Sequence, residues 1–149
     1  MTTQVVCYGL GPIGLGIARL ALARPGIEIV GAIDVDPQKV GRDLGELLGG
    51  EAIGVPISAD AAATLSATRP VVALHATSSA LASVAPQLLQ IAGAGVNVVS
   101  TCEELAYPWT AQPQLAAELD AAARRAGVTL LGTGVNPGYA MDALPLMLT

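Results

Sequence analysis

This chain predicts an α/β protein, a parallel sheet with helices on both faces, and three observations carry that expectation. Short runs rich in valine and isoleucine alternate with alanine-rich stretches of helical length along all 149 residues. Such a rhythm suits strand–helix–strand units, whose strands pair in parallel and are covered on both faces. Glycines mark the joints: Gly26, Gly95 and Gly127 each stand directly before an apolar run, where a glycine ends the preceding helix. The third observation is the opening stretch Val5-Val6-Cys7-Tyr8-Gly9-Leu10-Gly11-Pro12-Ile13-Gly14. A strand-like run breaks there into three spaced glycines, and a helical apolar pattern follows.

Strand, G-x-G-x-x-G and helix in that order describe a cradle for a dinucleotide. Gly9 permits the tight turn off the strand, Gly11 has no Cβ to keep a pyrophosphate away, and Gly14 lets the helix lie against the sheet. Pro12 suits the first helical position, where a missing N–H costs nothing. The cofactor-binding stretch is therefore Gly9, Leu10, Gly11, Pro12, Ile13 and Gly14, with free N–H groups of the first turn facing the phosphates. An acid stands at the expected distance: the second apolar run ends in Asp34, 20 residues after Gly14. Its carboxylate can accept hydrogen bonds from both hydroxyls of an adenosine ribose.

The elements follow in order. The first strand covers about 3–8, the first helix Pro12 to about Arg24 (before Pro25-Gly26), and the second strand about 27–33. Asp36-Pro37 opens a turn or short helix through Gln38–Leu48, made irregular by glycines at 41, 45, 49 and 50. Val55–Ser58 reads as a short third strand, and 60–67 as a helix stopped by Arg69-Pro70. Val71–His75 is the fourth strand, Ser79–Ala92 a helix and Val96–Ser100 the fifth strand. Gln112–Ala126 is a helix whose last turn carries Arg124 and Arg125, as its dipole favours, and Val128–Leu131 is the sixth strand. Six strands in this rhythm fit a doubly wound parallel sheet, the NAD(P)-binding Rossmann fold, as one domain over 1–149. A Gly-rich loop, Gly132–Tyr139, then leads to a short apolar helix over Met141–Leu148, which needs something to pack on. The expectation is a fragment, or a chain lacking the domain that would normally follow.

Composition narrows the function. With 52% hydrophobic and 13% charged residues the chain is long enough to bury a core and too apolar for disorder. No apolar run approaches the roughly 18 residues a membrane span needs, and the N-terminus has no basic region of a signal peptide. A net charge of −5 without a basic stripe argues against nucleic acid. Cys7 and Cys102 form no disulfide framework and read as small buried hydrophobes in a reducing cytoplasm. No metal site is expected.

In open α/β sheets ligands bind beyond the carboxyl ends of strands, so polar residues there are the candidates. After the fourth strand, Thr77 and Ser78 could border the nicotinamide ribose, while Ser79 could simply cap the next helix. His75, the one histidine, sits in an apolar run and reads as a hydrogen-bonded sheet residue more than as an acid–base catalyst. After the fifth strand come Thr101, Cys102, Glu103 and Glu104. On an extended backbone the two carboxylates point opposite ways, so at most one faces the nicotinamide; the alternative is a pair of first-turn acids favoured by a helix dipole. Cys102 has no histidine partner to make it a nucleophile. Asn136, pinned by Pro137 and Gly138, could orient a substrate or the nicotinamide carboxamide, or be a turn asparagine.

Taken together, Gly9–Gly14, Gly31–Asp34 with Asp36-Pro37, Thr101–Leu105 with Tyr107-Pro108, and Gly134–Gly138 resemble the 2,4-diaminopentanoate dehydrogenase family. That family is related to the native amine dehydrogenases and more distantly to dihydrodipicolinate reductase. The glycine fingerprint is generic; the Cys-Glu-Glu-Leu and Val-Asn-Pro-Gly segments are more specific, and the resemblance spans the whole chain. It implies reversible oxidative deamination of a small-molecule amine with NAD(P)+. It also implies a catalytic glutamate within the pair Glu103 and Glu104, with Glu103 the first choice, and Asn136 beside nicotinamide and substrate. Family members continue for roughly as long again, into a domain that shapes the substrate pocket and the dimer interface. A homo-oligomer is therefore expected, and this chain alone is expected to be inactive.

Asp34 favours NAD, since its charge would repel the 2′-phosphate of NADP; NADP remains open through Lys39 and Arg42, the nearest cations. Rival expectations are a dihydrodipicolinate reductase-like or other amino-acid or semialdehyde dehydrogenase, and a non-catalytic nucleotide-binding module.

Overall fold

The computed structural model describes residues 2–134 and 139–149. The chain falls into two compact units, residues 1–76 and 77–149. Each unit pairs its strands in parallel and flanks them with helices, the predicted α/β class. Asn136 lies outside the described residues.

In the first unit, β1 (Thr3–Tyr8), β2 (Ile27–Ile33), β3 (Ile57–Ser58) and β4 (Val72–His75) stand in the order β3-β2-β1-β4. Strand β1 pairs with β2 from Thr3↔Ile27 to Tyr8↔Ile33, with a register shift between Val5 and Val6, and with β4 from Val5↔Val72 to Tyr8↔His75. The chain thus leaves β1 for one side of the sheet and later returns to its other side, which opens a crevice at the carboxyl end of β1. Helix α1 (Pro12–Ala23) buries the small residues Gly14, Ala18 and Ala21, so it can lie close to the strands. Val5, Cys7, Leu10, Ile29, Ala32, Leu44, Val55 and Ile57 form the core with Ala18 and Ala21.

Helix α2 (Leu44–Leu47) is capped by Asp43, whose carboxylate also accepts from the N–H groups of Ile53 and Val55. Strand β3 is shorter than the predicted Val55–Ser58, because Pro56 has no N–H to give to β2 and pairing starts at Ile57. Helix α3 (Ala61–Thr68) takes Asp60 as its cap and ends at Arg69 in the left-handed conformation, φ 45°.

In the second unit, β5 (Asn97–Ser100) pairs with β6 (Leu130–Gly132), and α4 (Leu81–Gly93) packs on α6 (Pro113–Ala126). Leu81, Val84, Ala85, Leu88, Ile91 and Ala92 recur at three- and four-residue spacing and form one buried stripe of α4. Truncating Leu88, fully buried there, to alanine would cost about 2–5 kcal/mol. Strand β6 begins two residues later than predicted. The Val128 N–H closes the end of α6 on the Ala123 carbonyl, and the Thr129 N–H donates to the Asn97 side chain.

A single-turn 3₁₀ segment, Glu103–Leu105, and helix α5 (Pro108–Ala111) fill the stretch between β5 and α6, where no element was predicted. The terminal apolar segment forms a π-turn over Tyr139–Ala143 and then α7 (Leu144–Leu148), with Leu146, Met147 and Leu148 exposed. Among the described residues, no helix is long and apolar enough to cross a membrane.

Candidate functional site

The crevice at the carboxyl end of β1 is built from backbone. Gly9 leaves the strand at φ 89° while its N–H donates to the Ile33 carbonyl at 2.8 Å, so the turn stays tied to β2. A side chain at that φ would be strained, and glycine is not. Gly14 sits so near that a Cβ there would overlap the Gly9 carbonyl group. A Cβ on Gly11, by contrast, would point into open space. The loop is therefore packed behind and clear in front, as a cradle for a bulky anionic group requires. Pro12 stands at the start of α1 and the first helical bond runs from the Leu15 N–H to the Gly11 carbonyl. This leaves the N–H groups of Ile13 and Gly14 without an intrahelical acceptor, at the positive end of the helix dipole. The Ile13 side chain is exposed beside them.

Asp34 closes the crevice from β2. Its Oδ2 accepts from the Leu10 N–H at 2.7 Å and its Oδ1 from the Asp36 N–H at 2.8 Å. The Lys39 ammonium sits 3.3 Å from Oδ2 and 3.4 Å from Asp36 Oδ2. Burial works against the Asp34 charge, but the Asp36 and Leu10 amides with the Lys39 ammonium outweigh it and hold the carboxyl below its ordinary range. Lys39 is affected in the opposite sense: desolvation opposes its charge, yet Asp34 and Asp36 prevail and raise its pKa. A carboxylate offers about four lone-pair positions, and three are in use. One position is left as the site stands, and a second is freed once Lys39 moves away. The predicted residues Gly9–Gly14 and Asp34 are thus brought together; the hold of Lys39 on the acid is an addition. The backward turn at Asp36-Pro37 was the signal for it.

The remaining candidates belong to the second unit. Thr77 donates to the Gln87 carboxamide at 2.7 Å, and the Ser78 hydroxyl accepts from the Ala80 N–H. Ser79 does not cap α4 with its side chain, contrary to one expectation. The cap is supplied by Glu104, whose Oε2 accepts from the Leu81 N–H at 2.7 Å and from Gln112 Nε2 at 2.8 Å. The Ser79 carbonyl instead accepts from Cys102 Sγ at 3.1 Å and from the Glu104 N–H. Thr101 and Glu103 are half-buried, and among the described residues the Glu103 carboxylate has no hydrogen-bond or ion-pair partner. The Glu104 cap was invisible in sequence because its partners are distant in the chain, and Gln112 carried no signal.

Neither cysteine is poised for chemistry. Burial pushes the Cys7 thiol up to about 12 and raises that of Cys102 as well, so neither supplies a thiolate near neutral pH. His75 is fully buried at the end of β4 with its ring 5.4 Å from that of Tyr8, a place in the sheet core.

The family model described as "Dihydrodipicolinate reductase, N-terminus" matches residues 3–105. This chain belongs to that family. Within it and around it, the chain is 35% identical to the 2,4-diaminopentanoate dehydrogenase of Acetoanaerobium sticklandii, over 98% of this chain and 42% of that protein. It is 47% identical to the amine dehydrogenase of Mycobacterium smegmatis, whose structure superposes with a TM-score of 0.87 over 90% of this chain and 40% of that one. GenD2 from gentamicin A biosynthesis, solved in complex with NAD, is 25% identical with a TM-score of 0.66, over 88% of this chain and 34% of that one. The chain thus spans about two fifths of the length of its dehydrogenase relatives. The part matched by the dihydrodipicolinate reductase model ends at Leu105, directly after the glutamate pair, while the likeness to the amine dehydrogenases continues beyond it.

Proposed function

We propose that this chain is the NAD(P)-binding part of an oxidoreductase that reversibly deaminates an amine or diamino acid to a ketone. The balanced reaction takes a protonated amine, oxidised coenzyme and water to ketone, ammonium, reduced coenzyme and a proton. One observation supports it above the rest: identity to amine and diaminopentanoate dehydrogenases extends through 90% or more of the chain, past the generic glycine loop and through the glutamate segment. The coenzyme supplies the hydride acceptor, and the chain contributes placement and charge. Gly9–Gly14 would hold the diphosphate against bare amides, and Asp34 would bind the ribose.

In this reading NAD is the first coenzyme, because the Asp34 carboxylate opposes a 2′-phosphate; the setting is cytoplasmic and the enzyme a homo-oligomer. Thr77, Ser78 and Thr101 would border the coenzyme, and Asn136 would orient it or the substrate. The residue that meets the substrate ammonium and moves protons belongs to the pair Glu103 and Glu104, with Glu103 preferred. The test is amine-dependent reduction of NAD+ by the full-length protein, with ammonium and ketone measured in equal amounts. Coenzyme binding without turnover on any amine, diamino acid or dihydrodipicolinate-type substrate would favour a non-catalytic module.

A further inference from the structure

Adjacent glutamates in one short turn invite the assumption that they share a task. Their surroundings differ. One oxygen of the Glu104 carboxylate is committed, Oε2 serving both the first free N–H of α4 and the Gln112 side chain. Two more bonds close the same junction, from the Glu104 N–H and from Cys102 Sγ to the Ser79 carbonyl. Cys102 is fully buried there, and its own N–H is held by Ser100 Oγ at 3.1 Å. The Leu105 and Ala106 N–H groups return to the carbonyls of Cys102 and Glu103. The turn carrying both acids is therefore bonded at its front to the start of α4 and at its back to Gln112, through Glu104. Glu103 rides on this turn with its carboxylate uncommitted among the described residues.

We infer that the pair divides its labour: Glu104, braced by Gln112, is a positioning residue that sets the turn against α4, and Glu103 is the carboxylate left to meet the substrate amine. This rests on the deaminase reading above for the role of Glu103 but not for the staple itself. The chemistry separates the two. A staple needs an acceptor oxygen of the right reach, and glutamine has one. Its Oε1 can take the Leu81 N–H, while Gln112 turns its own carboxamide oxygen to receive the new NH2. A proton shuttle or ammonium partner needs the carboxylate itself, and glutamine cannot replace it.

The test compares Glu104→Ala, Glu104→Gln and Glu103→Gln in the full-length protein, with two readouts. Exchange of the Leu81 amide with D2O should quicken in Glu104→Ala and return toward the wild-type rate in Glu104→Gln. Amine oxidation should fall in Glu104→Ala and be largely rescued in Glu104→Gln. In Glu103→Gln it should drop by about 10²–10⁴-fold, the range for loss of an acid–base group. The carboxylate limb of the kcat/KM pH profile should persist in Glu104→Gln. The division is overturned if Glu104→Gln is as inactive as Glu104→Ala while Leu81 stays protected, since Glu104 would then be the reacting carboxylate. Unchanged Leu81 exchange in Glu104→Ala would overturn the staple. A wild-type enzyme that oxidises no amine would overturn the deaminase reading and the role of Glu103, and the exchange data would still judge the staple alone.

Discussion

Replacing Asp34 with alanine separates what this carboxylate does for the fold from what it does for the coenzyme. In the protein it accepts two backbone N–H bonds at 2.7 and 2.8 Å, and its side chain is 10% exposed. A hydrogen bond to a charged group contributes about 1.5–3 kcal/mol, and water recovers part of that at the mouth of a crevice. The expected loss of folding stability is therefore about 1–3 kcal/mol, read from the urea midpoint. If one ribose hydroxyl also bonds to this carboxylate, the loss in coenzyme binding is a further ~1.5–3 kcal/mol, or roughly 10–100-fold in Kd for NAD+. NADP+ should weaken far less. The variant removes the like charge opposing its phosphate and frees Lys39, which now bonds to Asp34 at 3.3 Å. Calorimetric titration of the folded variant with both coenzymes gives the ratio. Equal weakening of the two, or an unaltered preference, would refute the assignment of Asp34 to the ribose.

Gly14→Ala should destabilise the protein by about 1–3 kcal/mol or more, because its Cβ would overlap the Gly9 carbonyl oxygen rather than a flexible side chain; an unchanged urea midpoint would contradict this packing. Arg69→Gly should raise stability by about 0.5–1 kcal/mol, since φ 45° at the end of α3 strains a residue with a Cβ; a lower melting temperature would count against it. The depressed Asp34 carboxyl sets the sign of a pH effect: its contribution is present in full above the unfolded value near 4 and is lost as pH falls through the lower folded value. The stability gap between wild type and Asp34→Ala should therefore hold level from neutral pH down to about 5 and narrow below about 4. A gap that widens in acid would contradict the direction.

Legibility followed the range of the interactions. The first strand, glycine turn, first helix and Asp34 stand where the pattern placed them, since glycine spacing, Pro12 and an apolar period are properties of neighbouring residues. Boundaries moved where a proline or a distant side chain intervened. Pro56 cut β3 short, and Thr129 donates to the Asn97 side chain from 32 residues away. No element was assigned over Glu103–Ala111, beyond a first helical turn weighed for the two acids, because a 3₁₀ turn and a one-turn helix started by Pro108 are too short to show a period.

Sequence alone determined that this chain is wound as an α/β sheet with a glycine-lined turn and an acid after the second strand. Those features depend on what each peptide unit can adopt, and local chemistry decides that. Only the tertiary structure decided how the acids are used. Lys39 lies on Asp34 because the chain turns back at Pro37, and Glu104 is tied to Leu81 across 23 residues while Glu103 is left unpaired among the described residues. A carboxylate's role depends on which donors reach its oxygens, and for Glu104 those donors come from the start of α4 and the joint between α5 and α6, which only folding brings beside it.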